Sequence, residues 1–275
     1  MGIPRTNRLD KTSIGELNIS VQQRIRQIMI NMERLRWMPD EIPEKYFLVN
    51  IPEFKLHVFE KGKLVWSMNT IVGKDATVTS IFSDNLRSVV FSPFWNVPQS
   101  IIIQELIPKL IRDPGYLDRQ NMEIISKGNR ISPYAVNWSM YKKGVPFVIR
   151  QKPGIKNSLG LILFMFPNQY GIYMHDTPVK SLFEQNTRTF SHGCIRLADA
   201  EKLARYVFRN DTTVTDEKMH QWMNAGKEKH KAVTPSIPVF ITYFTAWVNY
   251  QGKLNFRKDI YGLDKILANE IFANN

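Results

Sequence analysis

Lys45-Tyr46-Phe47-Leu48-Val49-Asn50-Ile51 repeats with a period of two, which puts Phe47, Val49 and Ile51 on one face of an extended strand. Phe54, Leu56 and Val58 continue the alternation, and Glu60-Lys61-Gly62-Lys63 predicts a hairpin turn into a strand over 64–72. Working outward, the same texture predicts strands over 88–92, 147–151, 161–166, 170–175 and 239–244, and a hairpin over 246–256 around Gln251-Gly252. Upstream, Ser20-Val21-Gln22-Gln23 forms a capping box. Val21, Ile25, Ile28, Met32 and Leu35 then recur at helical spacing, so 20–37 reads as an amphipathic helix stopped by Pro39. Downstream, Asp199 caps a helix carrying Leu197, Ala200, Leu203, Ala204 and Val207, and a polar, lysine-rich helix is expected over 216–230. Between about 100 and 145 a helix over 101–111 is followed by Asp113-Pro114-Gly115 and irregular polar sequence. That stretch reads as a helix-and-loop insertion, the kind of segment that covers a site as a lid. The expected fold class is mainly β with helices, α+β, with a leader and helix over 1–40 and one large domain over 41–275.

The composition narrows the function classes. At 43% hydrophobic and 23% charged, the 275 residues suit a globular protein and exclude a disordered one. The apolar runs at 161–166 and 237–244 are far shorter than the roughly 20 residues needed to cross a bilayer. No apolar stretch of a secretory signal follows Met1-Gly2-Ile3-Pro4-Arg5. The net charge of +12 could attract an anionic polymer, yet the basic residues are dispersed apart from Lys142-Lys143 and 227–231. No zinc spacing, aromatic RNA motif or arginine tract accompanies them, so nucleic acid is not the expected partner. A single cysteine excludes an internal disulfide and a multi-cysteine metal site.

That cysteine stands in Phe190-Ser191-His192-Gly193-Cys194-Ile195-Arg196, between a polar loop and an expected helix start. Helix amides and the positive end of the dipole should lower a thiol pKa there. Gly193 lets the backbone approach a substrate and offer its amide to an oxyanion, and Arg196 can grip a carboxylate through two bonds. A cysteine nucleophile also needs a base. His192 is adjacent, but neighbours on an extended chain point oppositely. His175, nineteen residues earlier at the end of an apolar strand, can be held rigidly.

His175-Asp176-Thr177-Pro178, Leu182-Phe183 and the 190–196 segment resemble the active-site signature of the YkuD-type L,D-transpeptidases, closest to the larger, YcbB-like branch. The resemblance continues through Asn31-Met32-Glu33-Arg34, Leu48-Val49-Asn50-Ile51-Pro52, Phe94-Trp95-Asn96-Val97-Pro98, Asp113-Pro114-Gly115-Tyr116, Pro153-Gly154 and Asp259-Ile260-Tyr261-Gly262. It implies a β-sandwich-like catalytic domain with an inserted capping lobe. It implies Cys194 as nucleophile and His175 as general base, oriented by a main-chain carbonyl near Asp176. Gly193 and Cys194 would supply oxyanion amides, with His192 shaping the same pocket. Ser191, Arg196, Tyr173 and Trp95 would lie on the substrate side, the last two near the acyl-donor groove. No cofactor and no metal is implied. The implied partners are peptidoglycan stem peptides, with a tetrapeptide donor and a diamino-acid acceptor, and carbapenem β-lactams as covalent inhibitors. Residues 9–19 look like the tail of a peptidoglycan-binding repeat, which implies part of a longer, exported protein of the periplasm or cell envelope.

Plainer readings stand beside these. His192 could only buttress the loop, Arg196 could pin it through an ion pair, and Tyr173 and Trp95 could be packing residues. The acyl-enzyme could pass to water, as in an L,D-carboxypeptidase or endopeptidase, or the domain could be an inactive cell-wall binding module.

Overall fold

The computed structural model describes residues 10–273; residues 1–9, the first half of the expected leader, lie outside the described residues. Nine of the fifteen strands among the described residues belong to one sheet, four build the lobe and two form a small hairpin. In chain order the strands are β1 (Lys45–Asn50), β2 (Lys55–Glu60), β3 (Lys63–Gly73), β4 (Phe82–Phe91), β5 (Trp95–Asn96), β6 (Met122–Ser126), β7 (Asn129–Ile131) and β8 (Val148–Gln151). They continue as β9 (Ile162–Met165), β10 (Met174–His175), β11 (Thr189–Ser191), β12 (Ile195–Leu197), β13 (Lys229–Thr242), β14 (Ala246–Val248) and β15 (Leu254–Phe256).

The main sheet runs β11-β3-β12-β10-β9-β4-β13-β1-β2, and β2 pairs again with β3, so the sheet closes on itself. The two layers of the sandwich-like core therefore belong to one continuous sheet, which leaves few open edges. Alternation does the sorting: Phe47, Val49, Leu56, Val58, Val89, Phe91, Phe164, Ile195 and Leu197 point inward and are essentially sealed from water. The helix Ala200–Phe208 lays Ala200, Leu203, Ala204 and Phe208 against this core, with the Asp199 carboxylate accepting from the Lys202 amide at its start.

Several expected elements shift. The 170–175 strand shrinks to Met174–His175, because Asn168 folds the preceding residues into a turn. Its side-chain oxygen accepts from the amides of Tyr170 and Ile172, and its amide donates to the carbonyls of Phe166 and Ile172. The lysine-rich helix ends at Asn224, and Gly226, at φ +61°, turns the chain into the fourteen-residue β13, which takes up the basic 229–231 segment.

The N-terminal helix Val21–Leu35 carries the expected capping box but is mounted the other way round. Its apolar stripe faces water, with Val21 70% and Met32 60% exposed. Ile30, Asn31 and Arg34 face the domain instead. Asn31 exchanges hydrogen bonds with Thr245, Gln27 donates to the carbonyls of Thr245 and Arg257, and Arg34 pairs with Asp264. Directed bonds, not hydrophobic burial, set its orientation. A second short helix, Lys11–Leu17, occupies part of the expected leader. No helix among the described residues is long and apolar enough to cross a membrane.

The insertion is a packed lobe, not a helix followed by loose loop. Its sheet has the order β5-β8-β6-β7, and Ile102, Leu110, Leu117, Ile124, Trp138 and Ile149 form a core separate from that of the closed sheet. The polar stretch turns out to hold the β6–β7 hairpin, with Lys127 and Gly128 both at positive φ, as a tight two-residue turn requires. Beyond it the Trp138 indole donates to the Pro133 carbonyl. The expected helix is continuous over 99–112 but widens to a π turn at Ile102–Leu106, where the Ile107 amide reaches back to the Ile102 carbonyl. Pro108, with no N–H to donate, breaks the regular ladder there.

Candidate active site

The closed sheet brings the signature residues to one end. β10 and β12 are parallel neighbours with Met174 beside Ile195 and His175 beside Arg196. Residues in register in a parallel pair face the same side, and every second residue repeats it. Tyr173, His175, Cys194 and Arg196 therefore share one face, with the Ile195 amide donating to the Tyr173 carbonyl.

Each side chain is held from behind. His175 is buried, and its Nδ1 lies 2.5 Å from the Asp176 carbonyl, which accepts its proton and leaves Nε2 as the basic nitrogen. Burial, helped by the Arg196 charge, pushes His175 down to about 3, so the imidazole is neutral at physiological pH. The Asp176 carboxylate points elsewhere: it accepts from the Leu161 amide and from Lys180. Of this residue, only the carbonyl serves the histidine.

Cys194 precedes β12 and is not at a helix start; the helix begins at Ala200. The expected lowering by a helix dipole is therefore absent. Burial raises the thiol, offset in part by hydrogen bonds from the Tyr173 amide and hydroxyl and by the charge of Arg196. The resting pair is thus a neutral thiol and a neutral imidazole. Burial likewise keeps the Tyr173 hydroxyl protonated, and Tyr173 is hydrogen-bonded with Trp95, which packs beside Val90, Leu159 and Leu163. Among the described residues Arg196 forms no ion pair, and its Nε is buried with no acceptor. A guanidinium in that state calls for an anionic or carbonyl ligand.

Two expectations about the loop need correcting. Ser191 does not face substrate: it is buried, its hydroxyl donates to the Cys194 carbonyl and accepts from the Gly193 amide. The Gly193 amide is therefore occupied inside the loop, and of the two amides expected at an oxyanion only that of Cys194 stays a candidate. Sequence reasoning also missed what clamps the loop. Thr79 is buried, and its hydroxyl donates to the Gly193 carbonyl while accepting from the Gly73 amide. Tyr261 donates to the Gly73 carbonyl, and Thr77 donates to that of Ser191. An added Cβ on Gly73 would lie 2.0 Å from the Thr77 carbonyl oxygen, so only glycine fits there. Nothing in a lone sequence marks Thr79; Tyr261 stood in a matching segment without a role.

Gly193 sits at φ +111°, and an added Cβ would meet the Val78 and Thr77 carbonyl oxygens only at ordinary contact, 3.6 and 3.9 Å. Gly193→Ala should therefore act through backbone strain, lowering stability by about 1–3 kcal/mol and slowing thiol alkylation as the loop relaxes. Thermal unfolding and alkylation by iodoacetamide would check this, and an unchanged melting temperature would refute the strain account.

His192 lies outside the Tyr173–His175–Arg196 group. It is exposed, and its Nε2 lies 2.6 Å from Glu105 of the lobe and 3.4 Å from Lys74 Nζ.

Together these features define a β-rich domain with one half-buried thiol beside a buried histidine, and an inserted lobe that reaches the cysteine's loop through Glu105 and His192. The profile of the YkuD family, described as the L,D-transpeptidase catalytic domain, matches residues 44–248. The chain belongs to the L,D-transpeptidase family. A Haemophilus influenzae protein that bears an L,D-transpeptidase name is 32% identical over 240 residues, covering 87% of this chain. The chain spans about half the length of that relative, the match covering 48% of it. An L,D-transpeptidase structure from Mycobacterium smegmatis aligns over 72% of this chain and 58% of its own, at 14% identity and a TM-score of 0.34. L,D-transpeptidase 3 from Mycobacterium tuberculosis, in complex with a faropenem-derived adduct, aligns over 73% and 60%, at 13% identity and a TM-score of 0.33. At these scores the likeness is one of broad outline.

Proposed function

We propose that the protein is a peptidoglycan L,D-transpeptidase of the periplasm or cell envelope that forms 3-3 crosslinks between stem peptides through a thioester on Cys194. The observation that carries this reading is the shared face of Cys194, His175 and Arg196, with the imidazole neutral and its Nδ1 proton already bound by the Asp176 carbonyl. Nε2 of His175 takes the thiol proton as Sγ attacks the carbonyl between the L-centre of the third, diamino residue and the terminal D-alanine. The negative charge that forms on oxygen is met by the Cys194 amide and by Arg196. The imidazolium then protonates the departing D-alanine amine, leaving the thioester. The amine of a second stem attacks that carbon, the C–S bond breaks, and the sulfur recovers its proton through His175. The lobe, packed on its own core beside Trp95, keeps water from the thioester long enough for the amine to win.

The test is incubation with purified disaccharide-tetrapeptide, with products resolved by mass. Crosslinked dimer and free D-alanine are expected; tripeptide alone would make the enzyme a hydrolase. The same thiol should open a carbapenem. Intact-mass spectrometry is expected to find one adduct, mapped to Cys194, and an unmodified protein after prolonged excess would count against this site.

A further inference from the structure

Cys194 stands between two chemically different flanks. β12 lies between β10 and β3, and because β3 runs antiparallel to β12, the end of β3 meets the start of β12 where Cys194 sits. On the β10 flank the surroundings are apolar: Val90, Leu159 and Leu163 with Trp95 and Tyr173. On the β3 flank they are charged, and the charges come from three separate elements. Lys74 follows β3, and its amide donates to the Ser191 carbonyl, so its Cα is fixed by the cysteine's own loop. Glu105 is presented from the lobe's π turn and accepts from His192 Nε2, the same ring nitrogen that Lys74 Nζ approaches to 3.4 Å. No carboxylate among the described residues pairs with Lys74, and the sole partner of Glu105 is His192. A cation and an anion that approach one imidazole nitrogen without pairing directly with each other suit a ligand that carries both charges itself.

We propose that Glu105 and Lys74 are the specificity-determining pair of an acceptor subsite, Glu105 receiving the ammonium and Lys74 the carboxylate of an amine that bears both on one carbon. His192 acts as a positioning residue, holding Glu105 toward the thioester until the acceptor arrives. This rests on the thioester reading above, and it assigns the second amine to the β3 flank and the donor to the β10 flank. An amine without an adjacent carboxylate lacks the group that Lys74 would bind and should be a poorer acceptor.

The experiment uses the whole chain, disaccharide-tetrapeptide as donor, and two acceptors that differ by one carboxylate, D-methionine and 3-(methylthio)propylamine. Transfer product is scored by mass per acyl-enzyme formed. The parent is expected to favour D-methionine. Lys74→Met should reduce that preference at least about ten-fold, equivalent to about 1.4 kcal/mol, whereas Lys74→Arg retains it. Glu105→Gln should divert acyl-enzyme from both amines to water, and Glu105→Asp should restore transfer in part. Folded Lys74→Met and Glu105→Gln variants, checked by melting curves, that keep the parent's preference and partition would overturn the subsite. If the parent forms no acyl-enzyme, the thioester reading fails and this inference with it. Acyl-enzyme with unchanged partition overturns the subsite alone.

Discussion

Cys194→Ser is expected to abolish turnover of disaccharide-tetrapeptide, by a factor on the order of a thousand or more, with no loss of fold. A hydroxyl beside the same neutral imidazole is a far weaker nucleophile and forms an ester in place of a thioester. The side chain is nearly isosteric. Its sulfur makes only weak hydrogen bonds, to the Gly171 carbonyl at 3.8 Å and with Tyr173, which a hydroxyl can also make. The loop itself is fixed by Ser191, Thr77 and Thr79, none of which touches the thiol. The melting temperature should therefore stay close to the parent's, and the carbapenem adduct should vanish from the intact mass. A serine variant retaining more than a few per cent of activity would end the case for Cys194 as nucleophile.

The second large effect concerns the two histidines. His175→Ala should slow acylation by roughly 10²–10⁴-fold, the usual worth of a positioned general base, and His192→Ala should slow it much less. The distinction comes from placement: His175 is in register with Arg196 and buried, whereas His192 is exposed and bound to Glu105. The pH profile carries its own sign. A histidine held down to about 3 stays neutral above that value, so it contributes no inflection near its ordinary 6.5. The thiol, raised by burial, titrates on the alkaline side. Acylation by a carbapenem should thus stay level through neutral pH and change only on approach to the thiol's raised value. A step near 6.5 in the parent, or a larger loss with His192→Ala than with His175→Ala, would mean the base is misassigned.

Much of this was legible in the residues. Period-two stretches such as 45–51 announce strands because one face is sealed and the other is not. The paired segments around His175 and Cys194 identify the family through residue types that packing alone would not select. What escaped reading depends on partners distant in sequence. The helix at Val21–Leu35 was recognisable by its cap and spacing, but its orientation is decided by Thr245, Arg257 and Asp264, more than 200 residues away. The thiol is raised by burial, and the helix start expected to lower it is absent because β12 begins right after Cys194. The lobe's second core came from apolar residues too sparse along 113–145 to show a period. Thr79, Lys74 and Glu105 belong to no motif; they meet the cysteine's loop only because β3 and the lobe end beside it.

The contact between Tyr261 and the Gly73 carbonyl has a practical meaning for where this domain stops. Tyr261 lies thirteen residues past the last position matched by the family profile, in the Asp259-Ile260-Tyr261-Gly262 segment that carried no role in the sequence. Its ring stacks on Tyr243, whose hydroxyl accepts from the Tyr261 amide and donates to Asp259. Through Gly73 and Thr79 this assembly reaches the Gly193 carbonyl. A gene trimmed at residue 248 would encode every residue of the reacting group and still leave the nucleophile's loop without its outer brace. The boundary of the chemistry, judged by what keeps Cys194 in place, is set beyond Tyr261 by a chain of hydroxyls and carbonyls, not by the edge of the recognisable motif.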